Sequence, residues 1–332
     1  MPAISYRALV LILSSITILV TLASLFVGYA PINVMAAFSD TVAGRETLPA
    51  LVLIDLRLPR ALLGATIGFT LGLAGAAMQG LFRNPLADPG IVGVSGGAAL
   101  GAVIVFYSGL ASLFILALPI GGIIGAILSA MMLYGLAGRG AGTKTLILAG
   151  VTINSFTAAL TTLALNLSTN PYAAYEVMFW LMGSLVDRSM PQLVLVIVPM
   201  VAGWLLLLSA APALDALSLG EETAQSLGFD LSRVRIKLVA GTALAVGAAV
   251  AVSGAIGFLG LVAPHIMRPF VHHRPGRLLL VSGLTGAIGL VLADIGVRIL
   301  PFSPELHLGV VMALIGAPFL FSLVGRTARE EG

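Results

Sequence analysis

LVLVIVPMVAGWLLLL, residues 193–208, decides the fold class. The run carries no charged residue and lies inside an apolar segment of the length that crosses a bilayer, for which a helix needs roughly 20 residues. A chain in lipid must satisfy its own backbone hydrogen bonds, which leaves helix bundles and closed barrels. Barrel strands alternate apolar and polar residues, and 193–208 shows no such alternation. The segment therefore reads as a membrane helix, and similar stretches recur along the whole chain.

Composition extends this reading to all 332 residues. The chain is 59% hydrophobic and only 9% charged, against about 25% charged residues in soluble domains. The net charge of +3 comes from basic residues scattered singly, which suits orientation signals beside helix ends and does not point to nucleic acid. The absence of cysteine excludes disulfides, thiolate metal sites and cysteine nucleophiles. The four histidines, His265, His272, His273 and His307, are too dispersed for a metal cage, and His265 reads as a helix-end residue. The apolar run Ala8–Val27 after Arg7 is longer than a secretory h-region of about 7–15 residues, so it is expected to be a retained first span.

Ten spans are expected: 7–29, 58–82, 90–108, 112–137, 145–167, 191–211, 236–256, a short one at 258–269, 277–299 and 307–325. Proline and glycine punctuate them at Asn84–Pro85, Asp88–Gly90, Asn170–Pro171, Pro212, Pro275–Gly276 and Pro301. No polar linker divides the chain, so residues 1–332 form one membrane domain. With the N-terminus in the cytoplasm, twelve basic residues lie inside: Arg7, Arg83, Arg139, Lys144, Arg233, Arg235, Lys237, Arg268, Arg274, Arg277, Arg326 and Arg329. Five lie outside: Arg45, Arg57, Arg60, Arg188 and Arg298. Inner loops carry the excess of Lys and Arg, so both termini are expected to be cytoplasmic. Gly64, Gly68, Gly72 and Gly75 form a small-residue ladder on the second span. Close backbone approach is a main source of packing energy between membrane helices, so that helix should be central.

Little suggests an enzyme, and no catalytic or metal site is expected. The segment Gly138–Thr145, GRGAGTKT, only approximates a phosphate-binding loop, because Thr143 separates the glycine from Lys144 and no strand precedes it. An ion-coupled carrier is the alternative class, since intramembrane ionisable residues serve such proteins. Asp294 is the clear example, with Arg298 one helical turn on as its natural partner. On the fifth span, Asn154, Thr157 and Thr161, with Asn166 beyond, are candidates for lining a weakly polar pathway; the other reading is that they bond backbone carbonyls.

The longest interior hydrophilic stretch is Pro212–Arg235, PALDALSLGEETAQSLGFDLSRVR. It reads as a short amphipathic helix with Ser218 as N-cap, Glu221 and Glu222 at its positive end and Gly228 as its stop. Leu217, Leu219, Ala224, Leu227 and Phe229 give it an apolar side that suits docking to a cytoplasmic partner.

Three long segments, in this order, carry a resemblance. They are LRLPRALLGATIGFTLGLAGAAMQGLFRNPLADPGIVGVSGGAALGA (56–102), ALSLGEETAQSLG (216–228) and GAIGFLGLVAPHIMR (254–268). Together they resemble the FecCD-type permeases, membrane subunits of ABC importers for ferric siderophores, haem and vitamin B12. The resemblance runs from about residue 50 to the C-terminus. It implies a type II ABC importer fold of ten helices in the bacterial inner membrane and a second copy of the chain, with a path between the copies. It also implies two cytoplasmic ATPase subunits and a periplasmic substrate-binding protein. ATP and magnesium would sit on the ATPase, and this subunit would bind no cofactor.

Residue by residue, the resemblance assigns Gly220, Glu221, Glu222, Thr223, Leu227 and Gly228 to the helix that couples to the ATPase. It assigns Arg57, Arg60 and Arg298 to docking of the binding protein, where the residues alone also allow Arg57 to pair with Asp55 or to reach headgroups. Asn84, Leu86, Thr143 and Lys144 fall at the cytoplasmic constriction, with Lys144 replacing the expected small hydroxyl residue. The expected cargo is an iron chelate, a ferric siderophore first, with haem and cobalamin as alternatives.

Overall fold

The computed structural model describes residues 5–114, 116–138, 142–167, 177, 181–300 and 305–330, with side chains to 321. Arg139, the Asn170–Pro171 turn and Pro301 lie outside the described residues, as do the side chains of Arg326 and Arg329.

All ten expected spans coincide with helices. In chain order the helices are α1 (Tyr6–Ser24), α2 (Val34–Val42), α3 (Leu48–Phe82), α4 (Val94–Tyr107), α5 (Ala117–Ala137) and α6 (Thr143–Asn166). After them come α7 (Met190–Ser209), α8 (Ala211–Leu217), α9 (Glu221–Ser226), α10 (Leu231–Ser253), α11 (Leu259–Met267), α12 (Pro275–Ile299) and α13 (Leu308–Glu330). Among the described residues seven helices are long and apolar enough to cross a membrane: α1, α3, α5, α6, α7, α10 and α12. The apolar helices α4 and α13 and the nine-residue α11 supply the remaining three positions. At 14 residues α4 extends only about 21 Å, at 1.5 Å per residue, so it does not cross the hydrocarbon core alone.

The second span starts earlier than expected. Thr47 caps it, and residues Val52–Arg57 continue into the main helix with a wider π-type turn. Insertions of this kind often mark functional positions, and this one delivers Arg57.

α3 and α10 form the centre, each 78% enclosed over its apolar window, whereas α1 is 17% enclosed and faces outward. The glycine ladder explains why α3 can be central. A Cβ at Gly68 would overlap the Gly286 carbonyl of α12, one at Gly72 the Ser282 carbonyl, and one at Gly75 the Gly260 carbonyl of α11. Gly64 meets only side chains at ordinary contact distance, so three of the four rungs are steric requirements. Polar side chains add ties: Trp204 Nε1 donates to Thr70 Oγ1 at 2.8 Å, joining α7 to α3. Gln79 Nε2 donates to the Gly260 carbonyl, and Arg268 donates in turn to Gln79 Oε1.

Candidate functional site

Three clusters carry the polar chemistry, two towards the loops joined by α8 and α9 and one at the opposite end of the bundle. The first is built on the 211–231 segment. Instead of one helix, the chain forms α8 and α9 with a break at Ser218–Gly220. Ser218 is not the cap of α9: its hydroxyl donates to the Asp215 carbonyl, and Gly220, at φ +113°, leads into the helix. The reason is local: Ser218 keeps helical backbone angles at the C-cap of α8, and Gly220 takes the N-cap position of α9. Gly228 stops the segment at φ +89°, where a β-carbon is disfavoured. Of the apolar residues, Leu217 and Ala224 are buried underneath, while Leu219 (67%) and Leu227 (60%) are exposed.

Glu221 ties this segment to the rest of the molecule. Its carboxylate pairs with Arg235 Nη2 of α10 at 2.8 Å and accepts from Thr143 Oγ1 at the start of α6 at 3.2 Å. Burial alone pushes this carboxyl up, but Arg235, the Thr143 hydroxyl and nearby Arg83 outweigh it, and the net result is below the ordinary carboxylate range. Two regions assigned separately from sequence, Glu221 and Thr143, are thus one contact. Glu222 is exposed, and so is Thr223.

The second cluster is the loop after α3. Arg83 closes the helix in the left-handed region at φ 48°, Asn84 Oδ1 accepts from the Leu86 amide, and Asp88 Oδ1 accepts from the Gly90 amide. Asn84 and Leu86 are exposed, as is Lys144, while Thr143 is half-buried. Asn154 Nδ2 donates to the Gly90 carbonyl at 2.6 Å, so the loop is held by α6.

Asn154, Thr157 and Thr161 thus follow the second of their two sequence readings, bonding backbone carbonyls. Thr157 and Thr161 are buried, each donating to the carbonyl one turn back. Asn154 and Thr157 also pack so closely on α4 that a Cβ at Gly96 would collide with Thr157 Oγ1. Small residues on α4 let the two helices approach, and the polar side chains fill the seam. The open side of α6 carries Thr152, Ser155, Ala159, Thr162 and Asn166 instead. Their spacing follows one helical face.

The third cluster lies at the opposite end of α3 and α12. Arg57 and Arg298 are each only 6% exposed. Arg57 donates to the carbonyls of Leu25 at 2.8 Å and Ala30 at 2.6 Å, and Arg298 Nη1 donates to Ser24 at 2.9 Å and Val27 at 2.7 Å. These acceptors include carbonyls that the last turn of α1 leaves without intrahelical partners. Arg57 therefore neither pairs with Asp55 nor reaches outward to headgroups. Asp294 bridges Arg298 at 2.7 Å and Arg60 at 2.9 Å, and Arg60 also holds Glu305 at 2.8 Å. The Asp294–Arg298 pair is the one the sequence indicated. Glu305 carried no sequence signal, because its partner is 245 positions away. Three guanidinium groups against two carboxylates leave this cluster with one excess positive charge.

The profile of the FecCD transport family matches residues 16–326. The chain belongs to the FecCD family. Vitamin B12 import system permease proteins BtuC from Salmonella paratyphi A and Salmonella typhi are each 39% identical over 321 residues, covering 96% of this chain and 94% of the relative. A solved structure described as an inward-facing conformation of an ABC transporter of proposed metal-chelate type superposes with a TM-score of 0.83 at 29% identity. It covers 96% of this chain and 99% of the other. This FecCD chain is thus an all-helical ABC permease and a transport subunit, with the fold expected from its sequence.

Proposed function

We propose that this chain is the membrane permease of an inner-membrane, binding-protein-dependent importer for a large metal chelate, working as a pair with two cytoplasmic ATPase subunits. The Thr143–Glu221–Arg235 link carries this reading. Movement of an ATPase docked on Leu219 and Leu227 would pull α9, and through Glu221 it would pull the starts of α6 and α10. Thr143 and Lys144, with Asn84 and Leu86 opposite, would then open or close the cytoplasmic constriction. The pathway between two copies would run along the exposed Thr152, Ser155, Thr162 and Asn166 stripe, weakly polar as suits a large cargo held loosely.

At the other end, the excess positive charge among Arg57, Arg60 and Arg298 favours an acidic docking protein. Arg60 is the member to meet it, because it is half-buried where Arg57 and Arg298 are buried, even though Asp294 and Glu305 already hold it. The vitamin B12 relatives and the metal-chelate neighbour support the chelate class. They make cobalamin the first cargo to test, where the sequence alone put a ferric siderophore first. An ion-coupled carrier is disfavoured because Asp294 sits between two guanidinium groups with no role left for a moving proton.

In proteoliposomes holding the permease, its ATPase and its binding protein, Glu221→Gln should preserve ATP hydrolysis and lower transport per ATP by about tenfold, the loss of one charge-assisted link. Thr143→Val should show a weaker form of the same defect. Full transport in both variants would remove the link from the mechanism.

A further inference from the structure

Arg188 stands apart from every cluster above. It precedes α7, is half-buried, and its Nε is sealed from solvent without a hydrogen-bond acceptor. No ion pair engages it among the described residues, although Arg45, Arg57, Arg60 and Arg298 on the same side all have partners. Sealing one donor of a guanidinium without an acceptor is unfavourable. Asp187 is exposed beside it, at φ 55°, and tempers the effect of burial on the Arg188 charge without bonding to it.

Arg188 and its neighbour Asp187 line a cavity of about 370 Å³, walled otherwise mainly by Ala102, Val103, Phe106 and Val186. Ala102 and Val103 are almost fully enclosed, so one wall belongs to the packed interior of α4. Small-molecule sites have this character: a concave apolar wall of about 300–1,000 Å³ with a few polar groups that fix orientation. The planar guanidinium fork matches a carboxylate or phosphate.

We propose that this cavity binds a compact oxyanion carried on an apolar body, with the carboxylate or phosphate on Arg188 and the apolar part against α4. The assignment stands independently of the coupling scheme.

The test uses the full chain in nanodiscs of zwitterionic lipid, with benzoate as probe and benzamide as its uncharged counterpart, read by saturation-transfer NMR against empty nanodiscs. Benzoate should bind at least about tenfold more tightly than benzamide, as a charge-assisted pair requires. Arg188→Gln should abolish that preference, and Arg188→Lys should keep part of it. Equal binding of the two probes by the wild type overturns the proposal, whatever the variants do. An undiminished preference in a folded Arg188→Gln variant overturns it equally. Repeating the titration with phosphatidylglycerol in the nanodisc separates the sources of the oxyanion. Loss of the benzoate signal identifies a lipid phosphate as the occupant, and an unchanged signal identifies a soluble acid.

Discussion

Arg57, Arg60 and Arg298 show how far a residue's type and position can be read without its neighbours. All three were recognisable as basic residues at span ends, and Asp294 with Arg298 as a pair one turn apart. Their partners were not legible, because Leu25, Ala30, Ser24 and Val27 offer backbone carbonyls, which leave no trace in side-chain identity. Arg298→Met would leave Asp294 with one guanidinium and take the Arg298 donor from the Ser24 and Val27 carbonyls. Breaking a buried pair in this way costs about 3–5 kcal/mol, so the purified variant should unfold at markedly lower temperature than the wild type. An unchanged midpoint would mean that the pair is solvated. Glu305→Gln acts in the opposite sense on docking. It raises the excess charge and frees Arg60, so affinity for an acidic binding protein should rise, with steeper salt dependence. A fall in affinity would make Glu305 a support for Arg60 and not a competitor.

Helices were the most legible level, and their breaks the least. Runs of apolar residues set the ten positions, and the ladder on α3 announced close packing before any contact was known. The division of 211–231 into α8 and α9 was missed because Ser218 fits an N-cap pattern equally well whether it closes one helix or opens the next. On α6 the sequence could not tell the buried threonines from the exposed ones, since those on both faces bond the preceding turn. Gly72→Val should destabilise the bundle by about 1–3 kcal/mol or more, the range for overpacking. Its Cβ would meet a backbone carbonyl that cannot rotate away, and denaturant titration would measure the loss. At α9 the prediction concerns pH. The folded Glu221 carboxyl lies below its ordinary value, so its link contributes at neutral pH and is lost only as pH falls through that lowered value. Hydrogen exchange at α9 should therefore stay slow through the usual carboxylate range and quicken in stronger acid. Quickening above that range would contradict the Arg235 pairing.

At the scale of the whole molecule, the charge asymmetry, the membrane-length helices and the family membership describe a membrane permease. In the proposed mechanism the end bearing Glu221 and Thr143 receives force, and the end bearing Arg60 receives a partner. The excess of basic residues on the first of these ends is the reason to expect it in the cytoplasm. With no native cysteine, single cysteines at Ser39 and Ser189 should react with an impermeant thiol reagent from outside, and one at Ser226 should not. External labelling at Ser226 would invert the molecule. ATP-driven entry of solute along this chain, powered by a separate subunit, is the core of the proposed function. Its most direct measurement is uptake of radiolabelled cobalamin and of a radiolabelled ferric siderophore into proteoliposomes containing the permease and its ATPase, with the binding protein added outside and ionophores collapsing every ion gradient. Uptake of one chelate that requires both enclosed ATP and the binding protein is the predicted result; uptake that needs neither and stops with the ionophores would contradict the account.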